Sequence, residues 1–357
     1  MRIDAVHAYA DGLVFLEDGS FSNITELLGI GVHPGLSDMM RMSGVEEAYI
    51  SGGASDYDKL EALFRVLPMW SGHPYRTAVQ EIITCLTGCE YLLTLESLPE
   101  IWTATAQALT QTDIKAQLLQ AFGVGRLTCL LTPAQFKDLP QKNLQDDAIS
   151  MCLHIRSAAS ENFWGRDVMR QITPQNAQAD IVEGIAAYLD TLADKGCQGV
   201  AVNLADEAAF VKPNPYTPAQ AIARMQKGER LDSAEKSLVV FQTLRLLGGE
   251  CLRRGWSLML LYPKADLADA LIAYLQTCNS MPALVTVADA PTVAIMQSGK
   301  YLCPAELCAL EEDRRHQLQI LATKMPIGCL GGVYAPLRGA VDLPLWRCVL
   351  RGIHHII

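Results

Sequence analysis

Residues 21–63 read FSNITELLGIGVHPGLSDMMRMSGVEEAYISGGASDYDKLEAL, the most strongly patterned stretch of the chain. It opens with N-I-T-E, a helix-start pattern, continues through M-R-x-x-G-V-E-E and ends in Y-I-S-G-G-A-S-D-Y-D-K. Glycine and proline interrupt helical periodicity at short intervals here, and the same character extends over roughly residues 20–120. The region is therefore predicted to consist of helices joined by tight turns.

The rest of the chain alternates short apolar runs with helical patterns, which predicts a parallel sheet with helical crossovers. The runs are continuously apolar, as expected for strands covered on both faces. Eight strands followed by helices predict an α/β fold, a (β/α)8 TIM barrel. The predicted strands are Ile3–Ala8, Arg126–Leu131, Ser150–Ile155, Gly199–Leu204, Ser257–Tyr262, Ala283–Ala288, Lys300–Cys303 and Gly328–Val333. Predicted helices include Ala179–Lys195, Ala234–Arg254, Ala265–Cys278 and Ala305–Lys324.

The gap between the first two predicted strands is too long for a simple crossover. We interpret residues 20–120 as a helical subdomain inserted after strand 1. Residues 1–19 and 121–357 would then form the barrel domain.

Composition limits the classes of partner. The chain has 357 residues, 50% of them hydrophobic and 19% charged, which is enough apolar surface for a large core. Its net charge of −10 and lack of long basic runs disfavour nucleic acid and anionic membranes. No run approaches the ~18 apolar residues of a membrane helix, and the N-terminus lacks a signal-peptide pattern. Many cysteines lie inside apolar runs (Cys129, Cys152, Cys197 and Cys329), which indicates buried free thiols, so we expect a cytoplasmic protein.

The motifs of residues 21–63 resemble, in their order and nearly gapless spacing, those of the uronate isomerase family. That family is a metal-dependent branch of the amidohydrolase-like TIM barrels with a helical insertion after strand 1. The resemblance implies aldose-ketose isomerisation in carbohydrate catabolism, D-glucuronate to D-fructuronate or D-galacturonate to D-tagaturonate. It also implies a divalent metal such as zinc.

The family's first strand ends in His-x-His, two imidazoles on one side of a strand that ligate one metal. Here His7 matches the first and Tyr9 the second if one residue is inserted. A gapless match instead places Val6 and Ala8 there, so the pair is broken in either case. His7 and Tyr9 are the candidate proton carriers, and the alternative for His7 is a hydrogen-bonded structural residue.

The family's last strand carries Thr-Asp-Ser-Arg, in which Asp binds the metal and Arg holds the sugar acid. Counting back from Pro344 places Pro336 at the Asp and Arg338 at the Arg. Proline offers no side-chain ligand, but a guanidinium still binds a carboxylate through a two-pronged pair. A structural salt bridge of Arg338 is the alternative.

Arg156 follows the third predicted strand and matches an Arg of the family's Trp-Arg-Pro-Asp motif. Arg156 and Arg338 are therefore candidates for a shared sugar-acid site, unless each pairs with a neighbouring carboxylate. Other metal-side positions are apolar, since Val202 and Leu261 stand where the family has His.

These replacements lead us to expect no metal or other cofactor. Cys85 with Cys89, and Cys303 with Cys308, lack the second pairs of a zinc site. Two hypotheses remain: a uronate isomerase of altered site, or a non-catalytic relative that binds a sugar acid or a protein partner. A small anionic sugar acid is the expected ligand, and the apolar surface expected of the helical insertion would suit a homo-oligomer.

Overall fold

The computed structural model describes residues 6–11, 21–110, 114–139, 149–158, 177–206, 210, 212, 217–289, 291–304, 316, 319–320, 323, 330–334, 336–337 and 339–345. Two compact units emerge, one formed by Met1–Leu127 with Ala335–Ile357 and the other by Thr128–Tyr334. We call them unit 1 and unit 2.

Helices dominate the described part of unit 1 between its first strand and residue 121. Its elements in chain order are β1 (Val6–Asp11), α1 (Ile24–Leu28), α2 (Pro34–Met42), a 3-10 helix (Glu47–Tyr49), α3 (Asp56–Val66), a 3-10 helix (Leu67–Trp70), α4 (Pro74–Thr87), α5 (Leu98–Leu109) and α6 (Ile114–Ala121). The helical periodicity predicted over this stretch is confirmed.

Unit 2 alternates strands and helices. After β2 (Val124–Leu131), which crosses the boundary between the units, come α7 (Pro133–Asp138), β3 (Ile149–Ile155), α8 (Ala177–Ala193), β4 (Cys197–Asn203), α9 (Thr217–Gln226), α10 (Ser233–Arg254), β5 (Ser257–Leu261), α11 (Ala265–Thr277), β6 (Ala283–Val287), α12 (Val293–Ser298), β7 (Gly299–Pro304) and β8 (Leu330–Tyr334). A last short strand, β9 (Pro336–Leu337), returns to unit 1.

The strands of unit 2 form a parallel sheet in the order β8-β7-β6-β5-β4-β3. All eight predicted strands overlap observed ones. Among the helices, Ala179–Lys195, Ala234–Arg254 and Ala265–Cys278 match α8, α10 and α11, whereas α9 was missed. Most of Ala305–Lys324 lies outside the described residues.

Hydrogen bonds between its own motifs hold the stretch 21–63 together. Asn23 caps α1 by accepting from the Glu26 N–H, and Ser55 caps α3 by accepting from the Asp58 N–H. The Asn23 amide donates to the Asp56 carboxylate and the Thr25 hydroxyl to the Asp56 carbonyl, each at 2.7 Å. The N-I-T-E and A-S-D motifs thus dock on each other.

The M-R-x-x-G-V-E-E turn is closed by an exposed guanidinium fork. Arg41 donates to both carboxylate oxygens of Glu47, at 2.9 and 2.8 Å, and to Asp38 at 2.8 Å. These bonds from Arg41, with a further one from Ser51, lower the pKa of Glu47 to about 2. The motif therefore shapes a turn.

Several cysteines are buried thiols, as predicted. Cys129, Cys152 and Cys197 are free and buried, and burial raises the pKa of Cys197 to about 11. Cys329 lies outside the described residues. No helix in the described part of the chain is both long and apolar enough to cross a membrane.

Candidate functional site

Two of the positions predicted to have lost metal ligands, Tyr9 and Pro336, are neighbours in unit 1. Strands β1 and β9 run parallel, with Tyr9 in register with Pro336 and Ala10 with Leu337. His7 lies two residues before Tyr9 on the same strand, although the structure describes only the backbone of β1. Arg338 lies outside the described residues.

This pairing does not suit a divalent metal. A catalytic zinc site takes three nitrogen, sulfur or oxygen ligands from the protein. Proline supplies no side-chain donor, and a neutral phenol is a far poorer ligand than imidazole or carboxylate. Within the described ranges, no group of three or more His, Cys, Asp and Glu residues is placed to hold a metal ion.

A buried carboxylate–imidazole pair lies five residues beyond β9. The Nε2 of His33 is 2.8 Å from Oδ1 of Asp342, and both side chains are almost fully buried. His33 is also the N-cap of α2, where its Nδ1 accepts from the Leu36 N–H at 3.0 Å. Since Nδ1 is an acceptor, the proton of a neutral ring resides on Nε2 and points at Asp342.

The same arrangement gives His33 a positioning role. Both ring nitrogens are used, so neither is left to ligate a metal or to accept a substrate proton. A side chain at Gly339 would approach Cδ2 of His33 to 3.3 Å. The segment after β9 is thereby fixed against the start of α2, two elements that the sequence separates by about 300 residues.

A second histidine repeats the His-Pro capping pattern of His33-Pro34. His73 precedes Pro74 and caps α4 through Nδ1, which accepts from the Tyr75 N–H at 3.2 Å. The Tyr75 ring stacks on His73 and meets His33 edge-on, with centroids 5.3 and 5.7 Å apart. Burial lowers the pKa of His73, which favours the neutral, acceptor form.

In unit 2 the carboxyl ends of the strands are mostly apolar. Asn203, Leu261, Val287 and Leu302 are register partners on β4, β5, β6 and β7, so their side chains share one face of the sheet. Leu261 and Val202, the two apolar replacements identified in the sequence, are buried at 2% and 0% exposure. They fill space and bind no metal.

Two polar groups stand at the ends of neighbouring strands. Arg156 directly follows β3 and is exposed, and no hydrogen bond or ion pair to it occurs within the described part of the chain. Asn203 ends β4, and its side-chain Oδ1 accepts from the Ala205 N–H at 3.0 Å. A cation and an amide at adjacent strand ends are groups that recognise a carboxylate and hydroxyls.

Sequence reasoning missed the His33–Asp342 pair and the residue that follows β5, Tyr262. Only the positions of the two residues had a local signal, because His33-Pro34 begins a helix and Asp342 follows the last strand. Nothing local in the sequence links two residues so far apart. Tyr262 was assigned to strand 5, yet its φ of 54° takes it out of the strand.

Comparisons with known proteins identify the family of the chain. The family model described as glucuronate isomerase matches residues 1–263 of the chain. The chain belongs to the glucuronate isomerase family. A uronate isomerase of Oceanobacillus iheyensis is 24% identical over 249 residues, 66% of this chain and 52% of that protein. One from Caldicellulosiruptor bescii is 24% identical over 273 residues, 73% and 58% respectively.

Solved structures of the glucuronate isomerase family share the fold. A uronate isomerase structure from Thermotoga maritima gives a TM-score of 0.75 at 17% identity, covering 98% of this chain and 88% of that one. A glucuronate isomerase from Caulobacter crescentus gives 0.73 at 12% identity, covering 98% and 83%. The matched region spans a little over half the length of the curated relatives named above.

Proposed function

We propose that this protein binds a hexuronate-like sugar acid at the carboxyl ends of its parallel strands, without the metal-dependent isomerisation of its family. The observation that carries the proposal is the register of Tyr9 with Pro336, at positions where the resemblance implies metal ligands. Arg156 supplies a cation for the carboxylate, and Arg338 is the second candidate by resemblance.

The proposal includes the architecture. We propose that the strands close into an eight-stranded barrel, and that residues 20–120 are a helical subdomain inserted after the first strand. The parallel order β8-β7-β6-β5-β4-β3 and the fold shared with uronate isomerases support this. A barrel would bring the carboxyl ends of its strands to one face, where TIM-barrel ligands bind.

Calorimetric titration of the purified protein with D-glucuronate and D-galacturonate tests the binding proposal. D-Glucose has a similar ring without the carboxylate and serves as the ligand control. We expect heat with at least one hexuronate and none with glucose. Arg156→Gln should weaken hexuronate binding about tenfold or more, the loss of a charge-assisted pair. Arg230→Gln, at an exposed arginine on another loop, is the matched control.

No heat with either hexuronate at millimolar concentration would refute sugar-acid binding. Membership of the glucuronate isomerase family favours a second candidate, the isomerisation of D-glucuronate to D-fructuronate or of D-galacturonate to D-tagaturonate. The same samples, assayed with and without added zinc or manganese, distinguish the two. Turnover above background would replace the non-catalytic proposal with the isomerase.

A further inference from the structure

Tyr262 has the least ordinary backbone conformation in the described part of unit 2. Among described residues, only Tyr262 and Asn279 combine a side chain with a positive φ, 54° and 51°. Asn279 lies just past the C-cap of α11, where a left-handed residue is common and asparagine is well tolerated. Tyr262 has no such explanation, because a bulky residue in this region is strained.

The next residue adds to the constraint. Pro263 follows Tyr262, and a residue before proline is ordinarily confined to extended conformations. The surrounding backbone nevertheless fixes Tyr262 in place. Its N–H donates to the Val287 carbonyl at 2.7 Å, and one strand away the Leu204 N–H donates to the Leu261 carbonyl at 2.9 Å. The sheet thus imposes the conformation at its carboxyl edge.

The conformation presents an aromatic ring at this edge. The Tyr262 ring is partly exposed and meets the buried ring of Tyr334 at 84° and 6.1 Å between centroids. Tyr334 ends β8, in register with Pro304 of β7. An edge-to-face pair of this kind fixes the orientation of both rings.

We infer that Tyr262, oriented by Tyr334, is the ring-stacking residue for a sugar acid. This rests on the proposed function and deepens it by naming what recognises the sugar ring. The C–H groups on one side of a hexuronate ring carry partial positive charge, which complements the negative face of an aromatic ring. Arg156 and Tyr262 directly follow β3 and β5, and Asn203 ends β4 between them; together they offer a cation, an aromatic face and an amide. Because the aromatic face can stack on a sugar ring, this set favours a cyclic acid over an open-chain one.

Calorimetry with variants of Tyr262 tests the inference. Tyr262→Phe keeps the ring and should bind hexuronate within about threefold of the wild type, whereas Tyr262→Gly should lose about tenfold or more. D-Glycerate carries a carboxylate and hydroxyls but no ring, so its affinity should not differ between the wild type and Tyr262→Gly. Asn279→Gly relieves the other positive φ and serves as the backbone control.

Thermal unfolding of Tyr262→Gly shows whether a loss of hexuronate binding comes from the missing ring or from a loss of folded protein. Glycine relieves the positive φ but removes the ring contact with Tyr334, so we expect Tyr262→Gly to stay cooperatively folded at room temperature while binding hexuronate more weakly. Equal hexuronate affinity of Tyr262→Gly and the wild type would overturn the inference and leave the proposed function standing. A wild type that gives no heat with hexuronates would refute the proposed function, and this inference with it.

Discussion

At the scale of single residues, the most informative contact is the buried pair of His33 and Asp342. The imidazole of His33 caps α2 through Nδ1 and donates to the Asp342 carboxylate through Nε2. A buried carboxylate that loses its donor, or a donor that loses its acceptor, leaves a polar group without compensation. The pair therefore contributes to stability mainly through the cost of breaking it.

We expect Asp342→Ala to lower the free energy of unfolding by about 2–3 kcal/mol, because it leaves the Nε2–H of His33 buried without an acceptor. His33→Asn should cost less than His33→Ala, since asparagine is a good N-cap but is too short to reproduce both contacts. Urea unfolding of each variant measures these differences. Glu183→Gln, at an exposed site on α8, is the control. Variants of His33 and Asp342 indistinguishable from this control would contradict the structural role.

The residues that sequence reasoning could identify were those whose signal is local. For Pro336 and Leu261 the residue type alone supports the prediction, because neither side chain can ligate a metal. His33 needed a partner about 300 residues away, and Tyr262 needed a backbone angle set by the neighbouring strand. Tertiary contacts determine both, and no pattern of spacing encodes them.

At the scale of elements, two glycines of the stretch 21–63 differ in why their turns need glycine. One needs it for the backbone conformation alone, and the other also because there is no space for a side chain. Gly31 and Gly44 have nearly the same positive φ, 84° and 86°. A Cβ on Gly31 would lie 2.5 Å from the Ile50 carbonyl oxygen, whereas one on Gly44 would meet nothing within 4 Å. Substitutions at Gly31 and Gly44 therefore separate the free-energy cost of the left-handed conformation from the cost of a steric clash.

Gly44→Ala should lower the free energy of unfolding by about 1–2 kcal/mol, the cost of placing a side chain in the left-handed region. Gly31→Ala should cost clearly more, because the backbone around Ile50 must also move. Thermal or urea unfolding of the two variants side by side gives the difference. Equal losses would mean that the approach of Gly31 to Ile50 does not constrain the fold.

Element boundaries followed from the sequence where apolar runs were long and bounded by glycine. The end of α10 is an example, because Gly255 takes a left-handed φ of 68° as the C-cap and ends the helix at Arg254. Helix α9 was missed because its ten residues, TPAQAIARMQ, carry a short and weakly apolar pattern. Short helices depend on tertiary packing more than on their own periodicity.

At the scale of the whole molecule, the residues that identify the family are different from the residues that would carry its chemistry. The motifs that identify the family, such as Asn23 with Asp56 and Arg41 with Glu47, hold helices and turns together. They do so through exposed hydrogen bonds that shape turns and helix starts, so they report fold without reporting chemistry. The chemistry depends on a few strand-end residues, so ancestry could be predicted from the sequence with far more detail than activity.

The residues on β1 and β9 also determine how much metal the purified protein should contain. With Tyr9 beside Pro336, we expect mass-spectrometric metal analysis of the purified protein to find far less than one zinc per chain. Replacing Tyr9→His and Pro336→Asp together would add an imidazole two residues beyond His7 and a carboxylate on the adjoining strand. This double variant should bind about one zinc per chain, since three such ligands suffice for a catalytic site.

The single variant Tyr9→His is the matched control and should bind zinc much more weakly, because proline leaves the third ligand position empty. Stoichiometric zinc in the wild type would show that other residues replace the family's ligands. A double variant that binds no zinc, while unfolding like the wild type, would show that register alone does not bring these side chains within ligating distance. If only the double variant binds zinc, Tyr9 and Pro336 account for the loss of the metal. The rest of the scaffold would then still accommodate it.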